Sequence, residues 1–551
     1  MVKRHSIVAA HCRTVMTAYL CGPRNLSTMT RLSTPSGPVH GSSLEADGTT
    51  VHRFLGIPYA APPSGAHRFR PPVPVPPWTE ALDCTAPGSA APQNPESPAP
   101  PGARPRTWSE EGCLNLNIWT PGTDGPARPV MVWVHGGAYL LGANSDGMYD
   151  GARLAAAAGV VLVSINYRLG ALGFLHLADL LGAGYEDSGN LALLDQLEAL
   201  RWVRRNIGAF GGDPDNVTVF GESAGAAAIG TLLGMPASDG LFRRAIMQSG
   251  TAERYRRPED SARISAGFLG LCGLDESTAK ELLTLPVERL LEAQAALERR
   301  LAAETFAVPL PFQPTVGTPS LPVPPLDSVR AGLNSGVDLL IGTNLNEGSF
   351  AVEMRPPAAG DPDYPGRAAA VLAGAGVPSA QASGYPQALA RVLFREPAGK
   401  ELLEAAIADT VYRQPSNRLL AARQLAAEDG STAQGGAGKT FAYLFTWRSP
   451  AMGGKLGACH ALDIPFVFRH LDAPEAAFLT RGKAPEALGY AMSGAWAAFA
   501  GTGNPATAGL EWPEYGEARS TLVLGDEIRL EDDPRRELRE FFEAVRPLPA
   551  R

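Results

Sequence analysis

The strongest constraint on this chain is a change of backbone state compressed into a few positions. Val217-Thr218-Val219-Phe220 is a short apolar, β-branched run of the kind that forms a buried strand, and from Ala224 the sequence turns to alanines suited to a helix. Between them stands Gly221-Glu222-Ser223-Ala224-Gly225, a G-x-S-x-G segment. A strand can pass into a helix so abruptly only if backbone from both sides closes in, and a Cβ at either glycine would collide. Such a turn holds Ser223 in a strained conformation and lifts its hydroxyl above the sheet. It also aims the first N–H groups of the helix at the same point, where they can stabilise an anion.

Other segments supply the sheet that this turn needs. Met131–Val134, Val160–Ile165, Arg244–Gln248, Asp338–Gly342 and Thr440–Thr446 read as further buried strands. Asn190 to Ile207 reads as a helix, with Leu191, Leu194, Leu197, Leu200 and Val203 recurring along it and Asn190 as its cap. Strands alternating with helices predict an α/β fold, a large mostly parallel central sheet covered by helices on both faces. Residues 84–110 and 308–325 are rich in Pro, Ala or Gly and read as long loops, functional or disordered.

Composition excludes several alternatives. With 45% hydrophobic and 19% charged residues, the 551-residue chain can bury a core. Its 48 basic and 56 acidic residues give a net charge of −8, so nothing draws it to nucleic acid. The longest apolar run, Leu154–Ile165, is short of the roughly 20 residues of a membrane span. Six cysteines without a CxxC pair support neither a zinc nor a redox site, and read as free, mostly buried thiols of a cytoplasmic protein. Residues 1–33 lack acidic groups and a proper signal-peptide core, and read as a disordered extension before a single domain at 34–545, with Met29 an alternative start.

A serine nucleophile needs a base, and the base an orienting acid. Only His460 and His470 lie well downstream of Ser223. His460 occupies a short loop before apolar Ile464–Phe468, whereas His470 sits in a more polar stretch and reads as solvated. Glu347 follows the strand at 338–342 and is one candidate acid among many. A second glycine turn, Val134-His135-Gly136-Gly137-Ala138-Tyr139, also follows a buried strand. Its N–H groups, with that of Ala224, can form an oxyanion hole.

These segments resemble the type-B carboxylesterase/cholinesterase family, particularly its bacterial para-nitrobenzyl-esterase-like members. The similarity runs from about residue 34 to 545. It is carried by Phe54–Ala60, Cys113–Trp119, His135-Gly136-Gly137, Asn166-Tyr167-Arg168, Gly189–Gly225, Phe242–Gly250, Gly342–Gly348, His460–Phe468, Gly503-Asn504-Pro505 and Trp512-Pro513. The resemblance implies an α/β-hydrolase fold with helical insertions and a serine esterase acting on small to medium carboxylic esters through an acyl-enzyme. It implies Ser223 as nucleophile, Glu347 as acid and His460 as base, with Gly137, Ala138 and Ala224 as oxyanion donors. Glu222 and Ser249 match positions that support the triad by hydrogen bonding. Neither metal nor organic cofactor is implied, and the implied partner is a small-molecule ester.

The chain departs from the secreted animal relatives at both family disulfides. Position 91 is Ala where a partner for Cys113 would stand, and no cysteine lies near Thr284 to pair with Cys272. No Trp stands where cholinesterases bind choline, which argues against quaternary-ammonium substrates. Two other readings compete: a binding protein with a dead site, disfavoured by the presence of all three triad residues, and a lipase or amide hydrolase with residues 84–110 as its lid.

Overall fold

The computed structural model describes residues 29–94, 105–304, 310–354, 363–432 and 436–548. Thirteen strands form one sheet. They are β1 (Met29–Thr34), β2 (Gly37–Ala46), β3 (Thr49–Pro58), β4 (Leu82–Asp83), β5 (Asn115–Thr120), β6 (Arg128–Val134) and β7 (Val161–Ile165), followed by β8 (Gly212–Glu222), β9 (Arg244–Gln248), β10 (Asp338–Asn344), β11 (Thr440–Phe445), β12 (Ser520–Leu524) and β13 (Ile528–Asp532). The order is β1-β2-β3-β5-β7-β6-β8-β9-β10-β11-β12-β13, with β4 beside β2. From β7 to β12 every neighbouring pair is parallel, while both flanks are antiparallel except for the short parallel pairing of β4 with β2.

The central strands read so clearly because both of their faces are buried. On β6, Val130, Val132 and Val134 enter one core while Met131 and Trp133 enter the other; on β8, Val217 and Val219 oppose Phe220 in the same way. The helix Leu191–Asn206 covers the first face, and the helix Glu486–Thr502 with the Trp133–Phe468–Trp496 cluster covers the second. Helical segments between Ser349 and Ala408 bury a third cluster around Val371, Leu389 and Leu403, which Leu538 and Phe542 of the helix Arg536–Val545 complete.

Three expectations change in detail. The sheet begins at Met29, so residues 29–33 of the expected extension form β1 against β2, while residues 1–28 lie outside the described residues. Asn190 precedes its helix, but its side chain does not cap it. The amide instead donates to the Thr315 carbonyl and the Thr318 hydroxyl, both at 2.8 Å, and its oxygen accepts from the Thr315 N–H. That clamp explains why the proline-rich stretch from 310 to 321 is largely buried without being helix or strand. His470 is half-buried, with Nε2 against the Asp150 carbonyl at 2.7 Å. Cys84, Cys113, Cys272 and Cys459 are buried and unpaired.

Candidate active site

The site grows from the parallel register. β6, β8, β9, β10 and β11 run the same way, so the loops following them converge at one edge. The turn after β8 carries Ser223, at φ 55° and ψ −120°, a conformation L-residues rarely adopt. The flanking glycines are required by contact. A Cβ on Gly221 would lie 2.6 Å from the Val134 carbonyl oxygen, and one on Gly225 only 2.0 Å from it. The Ser223 N–H donates to the Gln248 carbonyl at 2.9 Å, which ties the turn to β9.

His460 Nε2 lies 2.9 Å from Ser223 Oγ, and its Nδ1 lies 2.7 Å from Glu347 Oε2. The serine hydroxyl donates to Nε2 when Nδ1–H is given to Glu347, the tautomer that a base needs. Glu347 is buried. Its other oxygen accepts from the Asn344 N–H at 2.7 Å and from the Ser249 hydroxyl. The three expected triad residues are therefore in one hydrogen-bonded line, and Ser249 is joined to it.

The loop after β6 turns through left-handed conformations at Gly137 (φ 112°), Ala138 (φ 57°) and Tyr139 (φ 61°). A Cβ on Gly136 would sit 2.8 Å from Glu222 backbone and side-chain oxygens, so this loop packs directly on the Ser223 turn. The Gly137 and Ala138 N–H groups donate to no acceptor among the described residues. Ala224 opens the helix Ala224–Leu232, so its N–H belongs to the unpaired first turn. Neighbouring His135 stacks on Tyr167 with ring centroids 4.5 Å apart and is buried, which pushes its pKa down to about 4. It stays neutral and braces the loop.

Two carboxyl groups flank the imidazole. Glu222 Oε1 lies 3.2 Å from His460 Nε2. Burial raises the Glu222 carboxyl, the nearby imidazolium opposes that, and Asp463 and Glu347 add to it. Burial acting alone would depress His460, but Glu222, Glu347 and Asp463 together outweigh it and raise the imidazole above its usual range.

The scaffold behind His460 leaves no mark in the sequence. Asp463 is fully buried; Oδ2 accepts from Gln248 Nε2 at 2.9 Å and from the Tyr443 hydroxyl at 3.0 Å. Asn344 Nδ2 holds the Cys459 carbonyl at 2.7 Å, next to His460. The Tyr412 ring lies 4.6 Å from the imidazole ring, on a π-helical turn spanning Asp409–Arg413. Asp463 stands three residues from His460, a spacing that signals nothing by itself, and Tyr412 lies in a helical region with no motif. The expected lid is described only at its two ends. Gln93 exchanges hydrogen bonds with Gly142, and Arg106 pairs with Asp146 at 2.7 Å, so both ends are fastened beside the Gly137 loop. Among the described residues no group of His, Cys, Asp or Glu is arranged to hold a metal, and no helix is long and apolar enough to cross a membrane.

A model of the carboxylesterase family matches residues 28–541. The chain is 40% identical over 512 residues to the para-nitrobenzyl esterase of Bacillus subtilis, covering 90% of this chain and 96% of that one. It is 34% identical over 508 residues to the phenmedipham hydrolase of Pseudarthrobacter oxydans, covering 88% and 93%. Among solved structures, a thermophilic PNB esterase superposes with a TM-score of 0.79 at 37% identity, covering 93% of this chain and all of the other. A Geobacillus stearothermophilus carboxylesterase gives 0.77 at 34%, covering 93% and 99%.

Proposed function

We propose that this chain, which belongs to the carboxylesterase family and is a carboxylic ester hydrolase of the α/β-hydrolase fold, works through an acyl-enzyme on Ser223. The observation that carries this reading is the continuous line from Ser223 Oγ through both nitrogens of His460 to Glu347. His460 takes the hydroxyl proton as Ser223 attacks the ester carbonyl, and Glu347 holds the ring and balances its positive form. The N–H groups of Gly137, Ala138 and Ala224 receive the charge on the former carbonyl oxygen. His460 then protonates the departing alcohol. Water enters, gives its proton to the same nitrogen and releases the acid. Ser249 keeps the Glu347 carboxylate oriented, and Glu222 favours the imidazolium formed in each step.

The preferred esters in this reading are small to medium in size, and the enzyme is a cytoplasmic one of bacterial type. Four buried, unpaired cysteines support a reducing compartment. A brief exposure to a fluorophosphonate ester followed by peptide mapping tests the site. These reagents modify a serine only where base and oxyanion donors are assembled, so a single adduct on Ser223 is expected. A folded protein that carries no adduct would overturn the assignment.

A further inference from the structure

One end of the sheet is left without a neighbour. Among the described residues β13 pairs only with β12, and no strand or bridge lies against its outer edge. A single bond fixes which backbone groups that edge presents. Just past β13, the Asp533 N–H donates to the Arg519 carbonyl at 3.2 Å, in continuation of the β12–β13 register. Bonded and non-bonded positions alternate along an antiparallel pair, so Ile528, Leu530 and Asp532 turn their N–H and C=O groups outward. Ile528 and Leu530 stand opposite Leu524 and Leu522 of β12, which belong to the second core. They carry that apolar face past the edge of the sheet and are 37% and 48% exposed. Arg529 and Glu531 alternate onto the other face, where Arg529 Nε donates to Glu531 Oε1 at 2.8 Å.

We propose that β13 is a docking edge for a second copy of this chain, the two sheets joining through an antiparallel β13–β13 pair around a two-fold axis. Charge selects both the occupant and the register. Centred on Arg529, a two-fold pairing sets arginine against arginine; centred on Glu531, it sets glutamate against glutamate, and like charges directly opposite are destabilising. Centred on Leu530, the pairing overlaps the whole strand. Arg529 of each copy then faces Glu531 of the other, at the positions where cross-strand side chains come closest, and the two Leu530 side chains meet on the apolar face. Edge strands are commonly blunted by charges that repel a second strand. The charges of β13 instead complement its own reverse. At the opposite edge, β1 holds Arg31 as its sole charge, so no symmetric pairing there gains an opposite charge. A pair of 5-residue strands is a small interface, which makes the dimer weak and reversible. The axis stands normal to the sheet, so the two Ser223 sites face opposite ways, and the inference does not rest on the acyl-transfer reading.

The test is sedimentation velocity over about 1–100 µM protein, where a small interface associates. The wild-type chain should move from the mass of one copy towards that of two as concentration rises. Arg529→Glu and Glu531→Arg each set like charges opposite one another, and each should weaken self-association about 10- to 100-fold. An equimolar mixture of the two variants should associate again, because one copy then offers two glutamates where the other offers two arginines. Mixing would not repair a general loss of folding. A wild-type chain that stays monomeric throughout would overturn the inference. So would single reversals that associate as well as wild type, which would place the contact on another face, or a mixture that stays monomeric.

Discussion

Ser223 and His460 stand 2.9 Å apart but are held by different physics. Ser223 is held by steric contact. The turn closes because Gly221 and Gly225 present no Cβ to the Val134 carbonyl, and everything needed lies within two short segments. His460 is held by polar contacts gathered from across the chain. Asn346 pairs with Ala458 through its N–H at 2.9 Å and its side-chain oxygen at 3.0 Å, and Asn344 holds the Cys459 carbonyl. Asp463 is tied to Gln248 and Tyr443, and Arg413 donates to the Asn344 carbonyl at 2.9 Å. A nucleophile must be strained and exposed, which local backbone geometry achieves. A base must keep one orientation while its charge changes, and that takes an enclosing set of dipoles.

Removing one group on each side gives the largest effects. Ser223→Ala should lower kcat by about 10⁶, as removal of a nucleophile does where triad members act as a unit. It should leave the unfolding midpoint within experimental scatter, because no packing contact depends on the hydroxyl. A residual rate above a tenth of wild type would show another group attacking. Glu347→Gln keeps the shape but reverses the hydrogen bond at Nδ1, and should cost about 10⁴ in kcat, the size seen when an imidazole is held in the wrong tautomer. An unchanged kcat would move the orienting role to another group.

The scaffold contrast is sharpened by Asp463→Leu. The leucine is apolar and of similar bulk, but Gln248 Nε2 and the Tyr443 hydroxyl lose their shared acceptor in a fully buried place. Each orphaned donor costs about 1–3 kcal/mol, so roughly 2–6 kcal/mol of stability should be lost, read as a lower denaturant midpoint. Turnover should fall with it by about tenfold, in kcat more than in KM, because the loop that aims His460 loosens. A drop in stability with kcat intact would make the network structural only.

The same division governs how much could be read from the sequence. Central strands such as Val130–Val134 announce themselves because burial on both faces makes them continuously apolar. The edge hairpin of β1 and β2, where Gly37–Ala46 carries Gly, His, Ser and Glu, shows no such run, so the start of the sheet at Met29 was not visible. Ser223 was legible because its constraint is local. Glu347 and His460 were selected by chain order and by the family resemblance, since neither is marked within its own segment. Asp463 and Tyr412 owe their significance to neighbours far away along the chain, which no periodicity records.

The smallest effect concerns Glu222, which belongs to the Ser223 turn by sequence and to His460 by contact. Only neutral His460 can accept the Ser223 proton, so kcat/KM should rise with pH through the imidazole ionisation. Burial opposes the charged ring, but Glu222, Glu347 and Asp463 together favour it, so the inflection should lie above the 6.5 of a free imidazole. Glu222→Gln removes one of these negative charges, the one 3.2 Å from Nε2, while keeping the side chain's size. The imidazolium loses that stabilisation and gives up its proton more easily, so the inflection should move down in pH. Relative activity should then rise on the acid side, even if the maximum falls because the imidazolium formed during the reaction has lost the same support. An inflection that stays in place would mean that Glu222 is protonated throughout. Burial, which raises its carboxyl, would then have won over the attraction of the ring, and its contribution would be a hydrogen bond without a charge.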